Sequence, residues 1–102
     1  MNRGEVWLAE VGRKRRPVLV LTRSEVLDVR ARVTVAEITT SVRGLAAEVP
    51  VDHVELGLHR ESSVNCDGIH TVAQVALTKL VGEVADDTMR QVCAAVSYAI
   101  GC

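Results

Sequence analysis

Three groups of polar side chains stand at spacings that could do chemistry. The first is Arg13-Lys14-Arg15-Arg16, followed by Pro17, with Glu10 as the nearest preceding acid. Guanidinium groups present planar forks of N–H donors that match pairs of phosphate oxygens. Four cations in four residues therefore read as a phosphate cradle, the ordinary alternative being a solvated basic turn. Pro17 biases Arg16 toward extended backbone, so Arg16 is expected to begin a strand while Arg13, Lys14 and Arg15 stay in a loop at a sheet rim.

The second group is Glu37-Ile38-Thr39-Thr40-Ser41, with Arg43-Gly44 beyond it. Its three consecutive hydroxyls can donate to phosphate or sugar oxygens, and equally can cap a turn. The third, Ser62-Ser63-Val64-Asn65-Cys66-Asp67-Gly68-Ile69-His70-Thr71, concentrates polar groups in an apolar neighbourhood and includes an imidazole able to move a proton. His53 and His59 lie in a polar stretch and read as surface residues. There is no HxxxH pattern and no CxxC spacing, so no metal site is expected.

These groups need elements to hold them. Glu5 to Val11, with a break at Gly12, reads as a first strand. Pro17 to Thr22 is an uninterrupted apolar run of the kind found in strands buried on both faces. Residues 24–31 allow one short helical turn, and Arg32 to Thr39 is a β-branched third strand. Ala47 to Val51 is a fourth, at an edge because Pro50 interrupts it. Val64 and Ile69 to Val72 read as two short pieces around an Asp67-Gly68 turn, and Lys79 to Val84 as the last strand. After Asp86 the pattern changes: Met89, Val92, Cys93, Val96 and Ile100 form one helical stripe. Asp86 and Asp87 are its expected N-cap and favourable first-turn charges, and Gly101 its stop. The fold class is α+β, mainly β: a small barrel or strongly bent sheet of five to seven short strands with a C-terminal helix packed on it.

The chain has 102 residues, the length of one domain, with 48% hydrophobic and 25% charged residues. It has no Phe, one Trp and one Tyr, so Val, Leu, Ile and Ala must build its core. No apolar run approaches a membrane span, and the N-terminus lacks a secretory h-region. An odd count of three cysteines does not suit a disulfide framework, which points to the cytoplasm. The net charge of -1 hides an asymmetry: residues 1–51 carry nine basic and six acidic side chains, and residues 52–102 three and seven. That is a local basic patch on a nearly neutral protein rather than a basic body.

The pieces Arg3-Gly4-Glu5-Val6-Trp7, Arg16-Pro17-Val18-Leu19-Val20-Leu21-Thr22, Val35-Ala36-Glu37-Ile38-Thr39-Thr40, Val64 to Val72, Leu80-Val81-Gly82-Glu83-Val84 and the helix from Asp86 occur in an order that resembles the MazF/PemK toxin family. The resemblance spans nearly the whole chain. It implies an SH3-like (CcdB/PemK-type) barrel assembled as a homodimer, one toxin domain over residues 1–102, and a MazE-like antitoxin whose disordered tail competes with RNA. The implied activity is metal-independent, cofactor-free, sequence-specific cleavage of single-stranded RNA, whether mRNA, tRNA or rRNA.

Carried over position by position, the catalytic Arg falls on Arg16 and the catalytic Thr on Thr39. The expected RNA contacts are Arg13, Lys14, Arg15, Thr40, Ser41, Arg43, Gly68 and His70. Two positions depart from the family pattern: Gly68 stands where many members have Gln or Asn, and His70 where Arg is common. In-line attack by the ribose 2′-hydroxyl needs proton transfers and stabilisation of phosphate charge, which an Arg fork and a Thr hydroxyl can provide. His70 is a candidate acid. The competing expectations are a CcdB-like gyrase poison without nuclease activity, and a silent RNA-binding module made plausible by Gly68.

Overall fold

The period-two alternation of the strands sorts their side chains into two apolar sets, and both sets are covered. The computed structural model describes residues 1–11 and 13–101; Gly12, the expected break after the first strand, and Cys102, the third cysteine, lie outside them. The elements run β1 (Glu5–Val11), β2 (Lys14–Val20), α1 (Ser24–Leu27), β3 (Arg32–Thr39), β4 (Glu48–Pro50), β5 (Ser63–Ala73), β6 (Leu77–Glu83) and α2 (Asp86–Ala99). All strand pairs are antiparallel, in the order β4-β5-β3-β2-β1-β6.

One face of the sheet buries Val6, Leu19, Ala36, Ile38, Val64 and Cys66 beneath Val92 and Ala95 of α2. The opposite face buries Ala9, Val18, Val20, Val33 and Val35 beneath Leu27 of α1. A strand with both faces covered has no reason to alternate, which explains the unbroken run Val18-Leu19-Val20. Full burial of each such side chain contributes about 1.5–3 kcal/mol, an upper figure because the unfolded chain is itself partly collapsed. The segment 51–62 folds back with Leu56 buried in the helix-side core and its Cδ2 against Gly82 of β6. It thereby spans from the β4–β5 side of the sheet to β6, giving the bent, barrel-like sheet with a C-terminal helix that the strand pattern implied.

Three expectations are corrected. The second strand begins at Lys14 rather than Pro17, because β1 and β2 form a tight hairpin pairing Val11 with Lys14 and Glu10 with Arg15. Lys14 and Arg15 are thus strand residues, and among the described residues only Arg13 of the four cations lies in the turn.

The Asp67-Gly68 turn is instead a bulge inside one long strand. Ala36 pairs with Ile69 while Glu37 pairs with Asn65, leaving Cys66, Asp67 and Gly68 as extra residues. The chain stays extended because the Cys66 N–H still donates to the Ala47 carbonyl on the β4 side, 2.8 Å away.

The helix is capped by the backbone of Ala85 without a side-chain hydrogen bond. Asp86 and Asp87 lie in the first turn, where they complement the helix dipole. Its covered stripe is Met89, Val92, Ala95, Val96 and Ala99; Cys93 and Ile100 are exposed, because the helix is rotated toward its small alanines to approach the sheet closely. Gly101, at φ 77°, ends it.

Candidate active site

The β2–β3 ladder runs Val20–Val35, Leu19–Ala36, Val18–Glu37 and then stops. Pro17 is the next residue of β2 and has no N–H with which to extend it. Beyond that point the two strands separate, and an open cleft of about 580 Å³ lies between them and the returning segment 51–62. One wall is Arg16, Pro17, Ile38 and Thr39, continued by Thr40 and Ser41; the other is Leu58, His59, Arg60 and Ser62. Residues from three separate stretches of sequence thus meet in one depression.

Arg16 is half-buried and its Nη1 donates to Oε1 of Glu37 at 3.2 Å. A partly exposed pair of this kind is worth about 0–1 kcal/mol, so it orients the guanidinium more than it holds the fold. Thr39 accepts the Ser41 N–H on its Oγ1 at 3.0 Å. That contact uses a lone pair and leaves the hydroxyl proton available for donation into the cleft. Glu37 and Thr39 lie on the same face of β3, two residues apart.

The other candidates are placed less uniformly. Thr40 and Ser41 line the cleft and are exposed. Arg13, Lys14 and Arg15 are exposed on the hairpin beside it. Arg43 turns toward Glu48, its Nε 3.8 Å from Oε2 and its backbone N–H donating to Oε1 at 2.8 Å. With further help from the Leu45 N–H, that backbone bond holds the Glu48 carboxyl below its ordinary range against the opposing effect of burial.

Gly68 and His70 meet Glu37 instead of the cleft wall. His70 Nε2 is buried 3.5 Å from Glu37 Oε1 without a hydrogen bond. A Cβ at position 68 would stand 2.8 Å from Glu37 Oε2.

Two residues of this region were given no role by the sequence reading. His59, set aside as a surface residue, is exposed but forms part of the cleft because Leu56 anchors its loop to the core. No local signal announced this. Glu37 did carry a signal: it is the one acid in the row Val33, Val35, Glu37 that shares a face of β3.

Comparison with known proteins agrees with this arrangement. The profile of the PemK-like, MazF-like toxins of type II toxin–antitoxin systems matches residues 2–100. The chain belongs to the PemK/MazF toxin family.

Among the relatives of this PemK/MazF-family protein is the probable endoribonuclease MazF5 of Mycobacterium tuberculosis, 41% identical over 103 residues, with 98% of this chain and 93% of that protein covered. The solved structure of the M. tuberculosis toxin MazF-mt6 superposes with a TM-score of 0.88 at 40% identity, covering 95% of this chain and 96% of that one. An endoribonuclease from a mycobacterial species, solved in complex with its cognate antitoxin, gives a TM-score of 0.89 at 26% identity, covering 99% and 95%.

Proposed function

We propose that this PemK/MazF-family chain is the toxin of a type II toxin–antitoxin pair and an endoribonuclease that cuts single-stranded RNA in the Arg16–Thr39 cleft. The observation that carries the site is that Arg16 lines one cleft together with Thr39, Thr40 and Ser41 where the β2–β3 ladder ends. Residues 1–102 act as one toxin domain. The relatives' activity and the cognate antitoxin of one solved neighbour support the same reading.

The chemistry follows from the groups present. The donors of Arg16 not engaged by Glu37 bind a phosphodiester oxygen, and the Thr39 hydroxyl donates to the same phosphoryl group as charge accumulates on it. The adjacent ribose 2′-oxygen attacks phosphorus, the bond to the 5′ oxygen breaks, and the products are a 2′,3′-cyclic phosphate and a 5′-hydroxyl. DNA lacks the nucleophile and is spared. This route calls on no metal ion or cofactor.

Thr40 and Ser41 hold the strand through the cleft, while Arg13, Lys14, Arg15 and Arg43 attract its phosphates. Gly68 and His70 act through Glu37. The protein works in the cytoplasm as a homodimer and is silenced by an antitoxin segment whose acidic residues face the same cations.

Incubating the purified protein with single-stranded RNA in EDTA tests this. Cleavage with cyclic-phosphate ends is expected. Growth inhibition without any RNA cleavage would instead fit a poison that acts by binding a protein.

A further inference from the structure

Glu37 stands behind the cleft-lining Arg16, its Oε1 3.2 Å from Arg16 Nη1, and lies opposite Val18 in the last paired step of the β2–β3 ladder. Its side chain is 18% exposed and extends the row Val33, Val35 on β3. An acid in such a row gives up apolar burial that a valine would gain, and a partly exposed pair with Arg16 returns little of it. Stability therefore does not account for it.

The local architecture is nonetheless built around this carboxylate. The three-residue bulge in β5 lies directly across from it, and Gly68 in that bulge leaves the space that Oε2 occupies. Oε1 lies between Arg16 Nη1 at 3.2 Å and His70 Nε2 at 3.5 Å. Among the described residues, the hydrogen bond to Glu37 is the one side-chain bond that Arg16 makes. Its remaining donors are thus left for a phosphate. A phosphate bound by those donors would share the Arg16 guanidinium with the carboxylate, and the group next to that phosphate in RNA is the ribose 2′-hydroxyl. An ionised carboxylate accepts hydrogen bonds and cannot donate them, which suits a hydroxyl about to lose its proton.

We propose that Glu37 is the proton acceptor of the cleavage reaction, with Arg16 and His70 fixing its position. This rests on the reading of the cleft as an RNA-cleaving site. In the step, the O2′–H bond breaks toward a Glu37 carboxylate oxygen, O2′ bonds to phosphorus and the P–O5′ bond breaks. The leaving O5′ takes its proton from the imidazolium of His59 on the opposite wall. Between turnovers Glu37 releases its proton to water and His59 regains one from water, so that protons and charge balance.

The test is single-turnover cleavage of a single-stranded RNA oligonucleotide by the wild type, Glu37→Gln, His59→Ala and Arg16→Ala, each first checked for folding by circular dichroism. Gln keeps the volume of Glu and an oxygen that accepts from Arg16, but cannot take a proton. Its cleavage rate is expected to fall about 10²–10⁴-fold with RNA affinity changed little. A substrate with a bridging 5′ sulfur, whose leaving thiolate needs no proton, is expected to restore cleavage to His59→Ala and not to Glu37→Gln.

Cleavage by Glu37→Gln within threefold of the wild type overturns the proposal, as does its rescue by the sulfur substrate. If Arg16→Ala is inactive while Glu37→Gln is active, only the role of Glu37 falls. If the wild type fails to cut RNA, or if Arg16→Ala cuts normally, the cleft reading falls with it.

Discussion

Arg16 and Thr39 line one cleft two steps beyond the last pair of the β2–β3 ladder. The ladder ends at Val18–Glu37, and Pro17 then denies it a donor. Both side chains are half-buried, close to rigid strand ends yet open to the cleft. The same proline that ends the pairing separates the strands and so makes room for a phosphate between the two groups. Positioning of this kind, on strand termini rather than on a free loop, suits a reaction whose catalysis is mostly orientation and charge stabilisation.

Arg16→Ala is expected to lower the cleavage rate by about 10²-fold or more, the usual consequence of removing a donor aimed at developing negative charge. Arg16→Lys is expected to recover little, since a point charge cannot hold Glu37 and a phosphate with separate nitrogens. The melting temperature should move by only a few degrees, because a partly exposed ion pair contributes about 0–1 kcal/mol. Oligonucleotide cleavage and a thermal melt check both halves. A melting temperature lowered by more than about 10 °C would show the pair to be structural.

Gly68→Ala isolates the seat of the carboxylate without touching a charged group. The new methyl would stand 2.8 Å from Glu37 Oε2 and 3.1 Å from Asn65 Nδ2, both ends of side chains that can swing away. Stability should therefore change by about 0.5 kcal/mol or less. Cleavage should fall about tenfold or more, because even a small displacement of a reacting group is costly. Unchanged kinetics in a stable Gly68→Ala protein would show that the carboxylate need not occupy this seat.

Much of this was readable from residue types. The limits of β1 and β3, the turn at α1, the edge position of β4 and the start of α2 follow from β-branched runs, Pro50 and the acidic pair at Asp86. Arg16 and Thr39 were legible as chemical groups, although their proximity was not, since it depends on where one ladder stops. Asp67-Gly68 looks the same in a turn as in a bulge; the choice is made by the Ala47 carbonyl, distant in sequence, which keeps Cys66 in the ladder. His59 was invisible because nothing near it in sequence reveals that Leu56 anchors its loop. The helix stripe was displaced because hydropathy favours Cys93 and Ile100, while close packing on the sheet favours Ala95 and Ala99.

Glu48 supplies a pH test independent of activity. Backbone N–H donors of Arg43 and Leu45 favour its ionised form and hold its pKa below the ordinary 4.5. A depressed carboxyl contributes stability that is fully present above 4.5 and lost as pH falls through the lower native value. Wild type should thus be more stable than Glu48→Gln at neutral pH, and the difference should shrink as the pH is lowered below 4.5. Parallel urea titrations at several pH values would measure it. A difference that stays constant down to strongly acid pH would mean that the loop 43–48 gains nothing from the charge.

Thiol labelling separates the two described cysteines. Cys66 is fully buried, and burial, reinforced by the neighbouring Asp67 charge, pushes its thiol up to about 11. The thiolate is the reactive form, so an alkylating reagent at pH 8 should modify exposed Cys93 in the native protein and reach Cys66 only after denaturation. Peptide mapping before and after adding urea would show this. Native labelling of Cys66 at a rate similar to that of Cys93 would mean that α2 lifts from the sheet far more readily than its packing implies.

Glu37→Val sets the cost of the carboxylate against its use. Valine continues the Val33, Val35 row, has high strand propensity and abuts Val18 across the ladder. It gives up an ion pair worth about 0–1 kcal/mol and gains part of the 1.5–3 kcal/mol of a buried apolar side chain. A net gain of about 1 kcal/mol, or roughly 4–8 °C in melting temperature, is expected together with loss of RNA cleavage. Such opposition between stability and activity is the mark of a residue kept for function. A fall in melting temperature would instead assign Glu37 to the fold, as the group that ties Arg16 on β2 and His70 on β5 to the central strand.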